Sequence, residues 1–306
     1  MKKVMISLTI LLFIFLYDYT FLNDTSFNSY RKYIKKIEYK IINNANYLKE
    51  NNTKDLYSDK FKIFEEDIVN NKEELINLYY TVINKGYENY TYYCNYDKCF
   101  DDINSLSEDN EKISYINQLV NIYNNYNTIE TIYSSDKRVD LTIHKKYSSD
   151  DIQKINDKID EIINEYNINE YPNVTDKIKI FHDYLANTNT YDQDMAENKE
   201  SEYKSDSAIG TLFEGKSICS GYTDTMAIFL DKIGLDNIKV STLDHVWNAV
   251  KIDNIWYHLD LTWDDPVTPN NDNIILYDYF LKTTSELSTI DQDGHKFNKE
   301  IYNFIK

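Results

Sequence analysis

Apolar residues recur at helical spacing in some stretches of this chain and alternate in others, and the two rhythms place its elements. Leu75, Leu78, Tyr79, Val82 and Ile83 line one face of a helix that starts near Lys72 and that Gly86 stops. Tyr90–Tyr96 alternates as a strand does, and Ile113–Tyr123 reads as another helix. Thr128–Tyr133 and Arg138–Tyr147 read as a hairpin around Ser134-Ser135-Asp136-Lys137. Further on, Ile152, Ile155, Ile159, Ile162 and Ile163 share one face of a helix over Asp150–Tyr166. Pro172 breaks that pattern before a second amphipathic helix over Thr175–Leu185, and neither helix carries recognisable site chemistry.

The next helical stripe, Tyr222, Met226, Phe229, Leu230 and Ile233, closes at Gly234 and sets Cys219 at or just before the first turn of a buried helix. A helix N-terminus presents N–H groups without intrahelical partners and a partial positive charge, which favour a thiolate and can form part of an oxyanion hole. Gly215 and Gly221 relax the backbone demands around that turn. A cysteine before a helix is, taken alone, more often a small buried apolar residue. Its partners decide the matter.

Those partners lie on the β-rich runs His245–Ile252 and Ile255–Leu261, joined by Asp253-Asn254, a favoured two-residue hairpin turn. Pairing Ile252 with Ile255 sets Trp247 opposite Asp260 and His245 opposite Thr262. His245 and Asp260 are then diagonal neighbours on one face, about 7 Å apart by backbone and within side-chain reach. The other face, with Val246, Asn248, Val250, Ile252, Ile255, Tyr257, Leu259 and Leu261, is mostly apolar and is expected to pack against the Cys219 helix. The face bearing His245 is expected to be free to line a cleft. His258, opposite Ala249 on that same face, is a competitor for Asp260. His245 is preferred because it lies with Trp247 and Asn248 at the end of the hairpin nearest Thr262.

A thiol, an imidazole and a carboxylate in this order suit acyl transfer through sulfur. The histidine takes the thiol proton and later protonates the leaving group, while the aspartate fixes the ring's tautomer and stabilises the imidazolium. The surrounding residues resemble the transglutaminase-like superfamily, in particular bacterial members akin to the cytokinesis protein 3 type. The resemblance rests on Ile180-Phe181-His182-Asp183-Tyr184, Tyr191-Asp192, the run from Ser207 to Tyr222, His245-Val246-Trp247-Asn248 and the run from Trp256 to Pro266, with Tyr277–Leu281 and His295 similar to the family's closing segment. It covers roughly 150–297 and matches the upstream part only loosely. Val246 stands where alanine is usual, and Asp253-Asn254 replaces an Asp-Gly turn; neither change removes a chemical group. The resemblance implies an α+β fold with a papain-like, transglutaminase-like core, and it carries the catalytic roles onto Cys219, His245 and Asp260. Tyr191, upstream of the nucleophile, is a candidate second oxyanion donor, with a core aromatic as the competing reading.

Composition narrows the partners. Of 306 residues, 51 are acidic and 33 basic, a net charge of −18 that repels nucleic-acid phosphates, so no nucleic-acid partner is expected. The 29 tyrosines, with abundant Asn, Ile and Lys, read as an A/T-rich genome's codon usage rather than as a stacking surface. Met1-Lys2-Lys3 followed by an apolar run from Val4 to Tyr17 reads as an export signal, with an uncleaved anchor favoured over a cleaved peptide and membrane attachment as the consequence. Cys94 and Cys99 are spaced to close a small loop as a disulfide and leave Cys219 unpaired, although two unrelated thiols stay open. Asp264-Asp265 and Asp291-Gln292-Asp293-Gly294-His295 lack the glycine and terminal glutamate positions of a calcium loop and are read as solvated turns. No metal and no cofactor is expected.

The expected organisation is a signal peptide or anchor over 1–22, a polar spacer over 23–70, a mixed α/β module over 71–147 and the catalytic domain over 148–306. Three functions compete. One is an exported thiol enzyme acting on amide bonds of a protein or peptide substrate, by hydrolysis or by transfer to an amine. The second is a cell-envelope binding module that keeps the fold without turnover. The third is a structural surface protein whose Cys219 is tied to Cys94 or Cys99.

Overall fold

A computed structural model describes residues 61–108, 110–268, 274–291 and 293–305. The signal or anchor reading of 1–22 and most of the spacer reading lie outside these residues; among them no helix is long and apolar enough to cross a membrane. Phe61 and Val69, at the end of the stretch read as polar spacer, are buried.

The architecture is α+β, built on two sheets. The first has the order β1 (Ile68–Val69), β2 (Asn89–Cys94), β4 (Arg138–Lys145), β3 (Tyr126–Tyr133), with β1 parallel to β2 and the rest antiparallel. Helices α1 (Lys72–Asn84), α2 (Cys99–Glu108) and α3 (Asn110–Leu119) accompany it. α2 has no counterpart in the sequence reading. Its buried residues Cys99, Ile103 and Leu106 do follow helical spacing, but Asp, Asn and Ser between them are weak helix formers that hide the stripe. Cys94 and Cys99 form a disulfide, which leaves Cys219 as the free cysteine; a bridge from Cys219 to either is thereby excluded.

The second sheet, β7 (Asn237–Ser241), β8 (Val246–Ile252) and β9 (Ile255–Leu259), is antiparallel throughout. Ile252 pairs with Ile255, and Asp253 and Asn254 both take left-handed conformations, φ 50° and 66°, as the two-residue turn demands. α4 (Ser149–Glu165), α5 (Val174–Thr188) and α7 (Cys219–Lys232) cover one face. α4 begins at Ser148 with a capping box to Asp151. Phe181 of α5 stacks on Phe229 of α7 with ring centroids 4.0 Å apart. Val250 and Leu259 point into that core, as the alternation requires.

The opposite face corrects an expectation. Ile238, Val240, Trp247, Ala249 and Trp256 join the hydrophobic cluster of the upstream module, together with Leu287 of α9 (Thr284–Ile290) and with Ile301, Tyr302 and Ile305. The strand residues of the face carrying His245 are therefore covered, by the chain before Ser148 and the C-terminal segment, while His245 itself stays partly exposed. α3 packs directly on β7.

A buried ionic group joins the halves. Asp224 of α7 accepts from Lys146 (2.7 Å), from the Tyr147 hydroxyl (2.7 Å) and from Lys239 of β7 (2.9 Å). Burial opposes its charge, but the two lysines hold the carboxyl down at about 2.

Candidate active site

Cys219 is the first residue of α7, and Ile218 before it offers no side-chain cap to the helix N–H groups. Three segments converge under this turn. β5 (Thr190–Tyr191) runs parallel to β6 (Lys216–Ser217), with Tyr191 beside Ser217; α6 (Gln193–Asn198) follows β5, and a π-helical turn over Gly210–Glu214 leads into β6. Gly215, at φ 65°, ends that turn in the left-handed region. Gly221 is required by proximity instead: a Cβ there would lie 2.3 Å from the Ser205 carbonyl oxygen and 2.6 Å from Ser217 Oγ.

His245 precedes β8, anchored by its N–H to Thr242 Oγ1 (3.1 Å) and by its carbonyl, which accepts from the Thr242 N–H (2.9 Å). Its Nε2 lies 2.5 Å from Asp260 Oδ2, and Cys219 is near enough to favour a charge on the ring. Trp247 stacks beside the ring at 5.6 Å and Trp263 lies at 6.0 Å. Burial opposes a charge on His245, yet Asp260 outweighs it, with Cys219 adding to the effect, and raises the ring to about 10.

Asp260 is not the strand residue expected. β9 ends at Leu259, and Asp260 caps a short helix, α8 (Leu261–Asp264), its Oδ1 accepting from the N–H groups of Thr262 (3.0 Å) and Trp263 (3.3 Å). The hairpin register still delivers it beside His245, because the strand direction carries on for one residue into the cap. The carboxyl is buried, which by itself would raise it; His245 and His295 hold it at about 2.

His258 is placed elsewhere. Its Nδ1 accepts from the Trp247 indole N–H at 2.9 Å, and its Nε2 lies 3.0 Å from Thr284 Oγ1. An indole N–H only donates, so Nδ1 is unprotonated and His258 is a neutral ring, pushed down to about 3 by burial and by the charge of His295. It is not engaged with Asp260.

Of the residues read as solvated turns, Asp264 and His295 are instead buried, Asp265 and Asp291 are partly buried, and Asp293 is exposed. Asp264 is fully buried, 3.3 Å from His182 Nε2, and its Oδ1 accepts from the Tyr279 N–H (2.9 Å). His182, on a helix that showed no site chemistry, also meets Asp183 at 3.1 Å. Asp265 accepts from the Tyr222 hydroxyl (2.5 Å), and burial raises its carboxyl to about 6.

His295 is a residue that the sequence reading named in the closing segment but gave no role at the site. Its Nε2 lies 2.8 Å from Asp260 Oδ2 and its Nδ1 lies 2.7 Å from Asp291 Oδ2. The available signal was local: an aspartate four residues before a histidine, with Gly294 between them to let the chain fold back. One ligand atom each from His245, Asp260 and His295 falls within 4.8 Å of the others, but both His295 ring nitrogens are turned to carboxylates as hydrogen-bond partners, which leaves that ring no lone pair for a cation.

Tyr191 is half-buried, near enough to Cys219 and Asp260 to feel their charges. Burial and those charges raise its hydroxyl to about 12, so it keeps its proton at neutral pH and can donate.

No known family and no curated protein matches the sequence. Among solved structures, one described as "Crystal structure of a TGase" aligns with 48% of this chain and 46% of its own length, at 18% identity and a TM-score of 0.35. The chain thus spans about half the length of that structure, and a likeness of this depth identifies neither a family nor an activity.

Proposed function

We propose that this protein is a thiol enzyme with a transglutaminase-like core that acts on amide bonds, with Cys219 as nucleophile, His245 as base and acid, and Asp260 as the group that orients His245. The observation that carries the proposal is the imidazole of His245, with Nε2 2.5 Å from a buried carboxylate and, near enough to favour its charge, the free cysteine on the first residue of a helix. In the reaction, His245 already holds the thiol proton, and the Cys219 thiolate attacks the amide carbonyl carbon beside that imidazolium. The carbonyl π pair moves to oxygen, where helix N–H groups and the Tyr191 hydroxyl stabilise it. As the C–N bond breaks, His245 returns the proton to the leaving nitrogen and a thioester remains. Water or a primary amine then attacks the thioester, giving its proton to His245, and the C–S bond breaks with its electron pair going to sulfur, which restores the thiolate beside the imidazolium. The triad serves a peptidase, an amidase and a cross-linking acyltransferase equally.

An exported setting, a protein or peptide substrate and membrane attachment through the N-terminal segment belong to the same proposal. The lysine-led apolar run and the Cys94–Cys99 disulfide support them, since disulfides persist in oxidising compartments.

The test is the rate of iodoacetamide labelling at Cys219 against pH. Wild-type protein is expected to label rapidly from below neutral pH, and His245→Ala and Asp260→Asn to label at least about tenfold more slowly there. A thiol that reacts only under alkaline conditions and ignores both substitutions overturns the enzyme reading and favours the binding module.

A further inference from the structure

His295 shares the Asp260 oxygen that His245 uses, and the shared atom is the starting point. Oδ2 of Asp260 receives His245 Nε2 at 2.5 Å and His295 Nε2 at 2.8 Å, while Oδ1 is occupied by two backbone N–H groups. On its far side His295 meets Asp291 Oδ2 at 2.7 Å. Ionised carboxylate oxygens only accept, so both bonds of His295 are made at once only when both of its ring nitrogens carry protons. The result is a row, Cys219, His245, Asp260, His295, Asp291, in which thiol and carboxylates alternate with imidazole rings.

His295 is held for this position. Its side chain is 1% exposed, Tyr279 stacks on it at 5.1 Å, and Trp247 and Trp263 meet it edge-on at 4.7 and 4.9 Å. Asp291 is fixed in turn, its Oδ1 accepting from the N–H groups of Asp293 (3.1 Å) and Gly294 (3.0 Å). Gly294 is sterically obligatory here, since a Cβ would lie 2.4 Å from Asp291 Oδ2 and 2.8 Å from the Trp263 ring. This much fixation goes beyond what filling a core needs.

We propose that His295 is a positioning residue of the thiol site: a second histidine that locks the Asp260 carboxylate toward His245 and places a second proton-bearing ring behind it. The inference rests on the thiol-enzyme reading. Its effect is on Cys219, by two routes of the same sign. A fixed Asp260 keeps His245 protonated beside the thiolate, and the charge on His295 adds to the positive field that favours the thiolate. The titratable groups facing the row are Asp260, Asp291, His245, His258 and Tyr279 around His295, and Tyr191 beside Cys219.

The experiment compares the pH of half-maximal iodoacetamide labelling of Cys219 in wild-type, His295→Leu, His295→Gln and His245→Ala protein, with thermal melting of each. His295→Leu is expected to raise that pH by about one unit, a roughly fivefold slower reaction at the wild-type midpoint and about tenfold well below it. His295→Gln keeps an N–H donor toward Asp260 without charge and is expected to recover part of the shift. A residue that serves only packing would lower the melting temperature and leave the midpoint unmoved. Should His295→Leu not fold, a wild-type midpoint in His295→Gln overturns the proposal on its own. If His245→Ala moves the midpoint and the His295 variants do not, this inference alone fails; if His245→Ala also leaves it unmoved, the thiol-enzyme reading has failed.

Discussion

Replacing Gly221 by alanine sets two effects of opposite sign against each other at the turn that carries the nucleophile. Alanine is the better helix former by about 1 kcal/mol, so propensity alone predicts a more stable protein. The structure predicts the reverse. The new Cβ would stand 2.3 Å from the Ser205 carbonyl oxygen, inside the 3.0 Å that real Cβ atoms keep, and 2.8 Å from Thr211 Oγ1. Ser205 cannot yield freely, because its carbonyl accepts the Ile218 N–H at 2.9 Å; nor can Thr211 and Ser217, whose hydroxyls bond each other at 2.8 Å. Overpacking of this kind costs about 1–3 kcal/mol and a weakened hydrogen bond about 0.5–1.5 kcal/mol, so a net loss of about 0.5–3.5 kcal/mol remains after the helix gain. Urea unfolding of Gly221→Ala followed by circular dichroism measures it, with Cys219 labelling as a second readout that should slow as the turn shifts. A variant as stable as wild type, or more so, would refute the close-packing account of this turn.

Two further predictions concern charge. Folding raises His245 to about 10, so its contribution to stability is complete below about pH 6.5 and is lost as pH rises through 10; folding lowers Asp260 to about 2, so its contribution is complete above about pH 4 and is lost as pH falls through 2. Denaturant unfolding across pH should therefore show an alkaline decline that His245→Gln flattens, and parallel curves for the two proteins from pH 6.5 to 10 would contradict the pairing. Asp224→Asn leaves Lys146 and Lys239 facing a neutral amide in the interior and is expected to cost about 3–5 kcal/mol in urea unfolding; a loss below about 1 kcal/mol would show that water reaches the lysines.

What could be read in the sequence was what neighbours along the chain decide. The Asp253-Asn254 turn fixes the register of β8 and β9, and the register alone carries Asp260 to His245. The apolar stripe after Cys219 marks the helix start that the structure shows. What could not be read depends on distant chain. His295 reaches Asp260 across 35 residues from a polar, irregular segment whose composition is that of a surface turn. Asp264 looks solvated in sequence because its cover, His182, comes from α5. The buried second face of the sheet is invisible for the same reason. Trp247 and Trp256 announce burial but not what buries them.

That sheet has a consequence for how such a protein can be divided or inherited. β7, β8 and β9 are shared property: Val250 and Leu259 belong to the core of the nucleophile helix, while Ile238, Trp247, Ala249 and Trp256 belong to the core built from residues before Ser148. A piece beginning at Ser148 would keep every residue of the proposed triad and lose the helix α3 that packs on β7. The upstream half thus supports the sheet that leads into His245 rather than hanging from it, and recombination that exchanged one half would have to supply a matching surface for those strands.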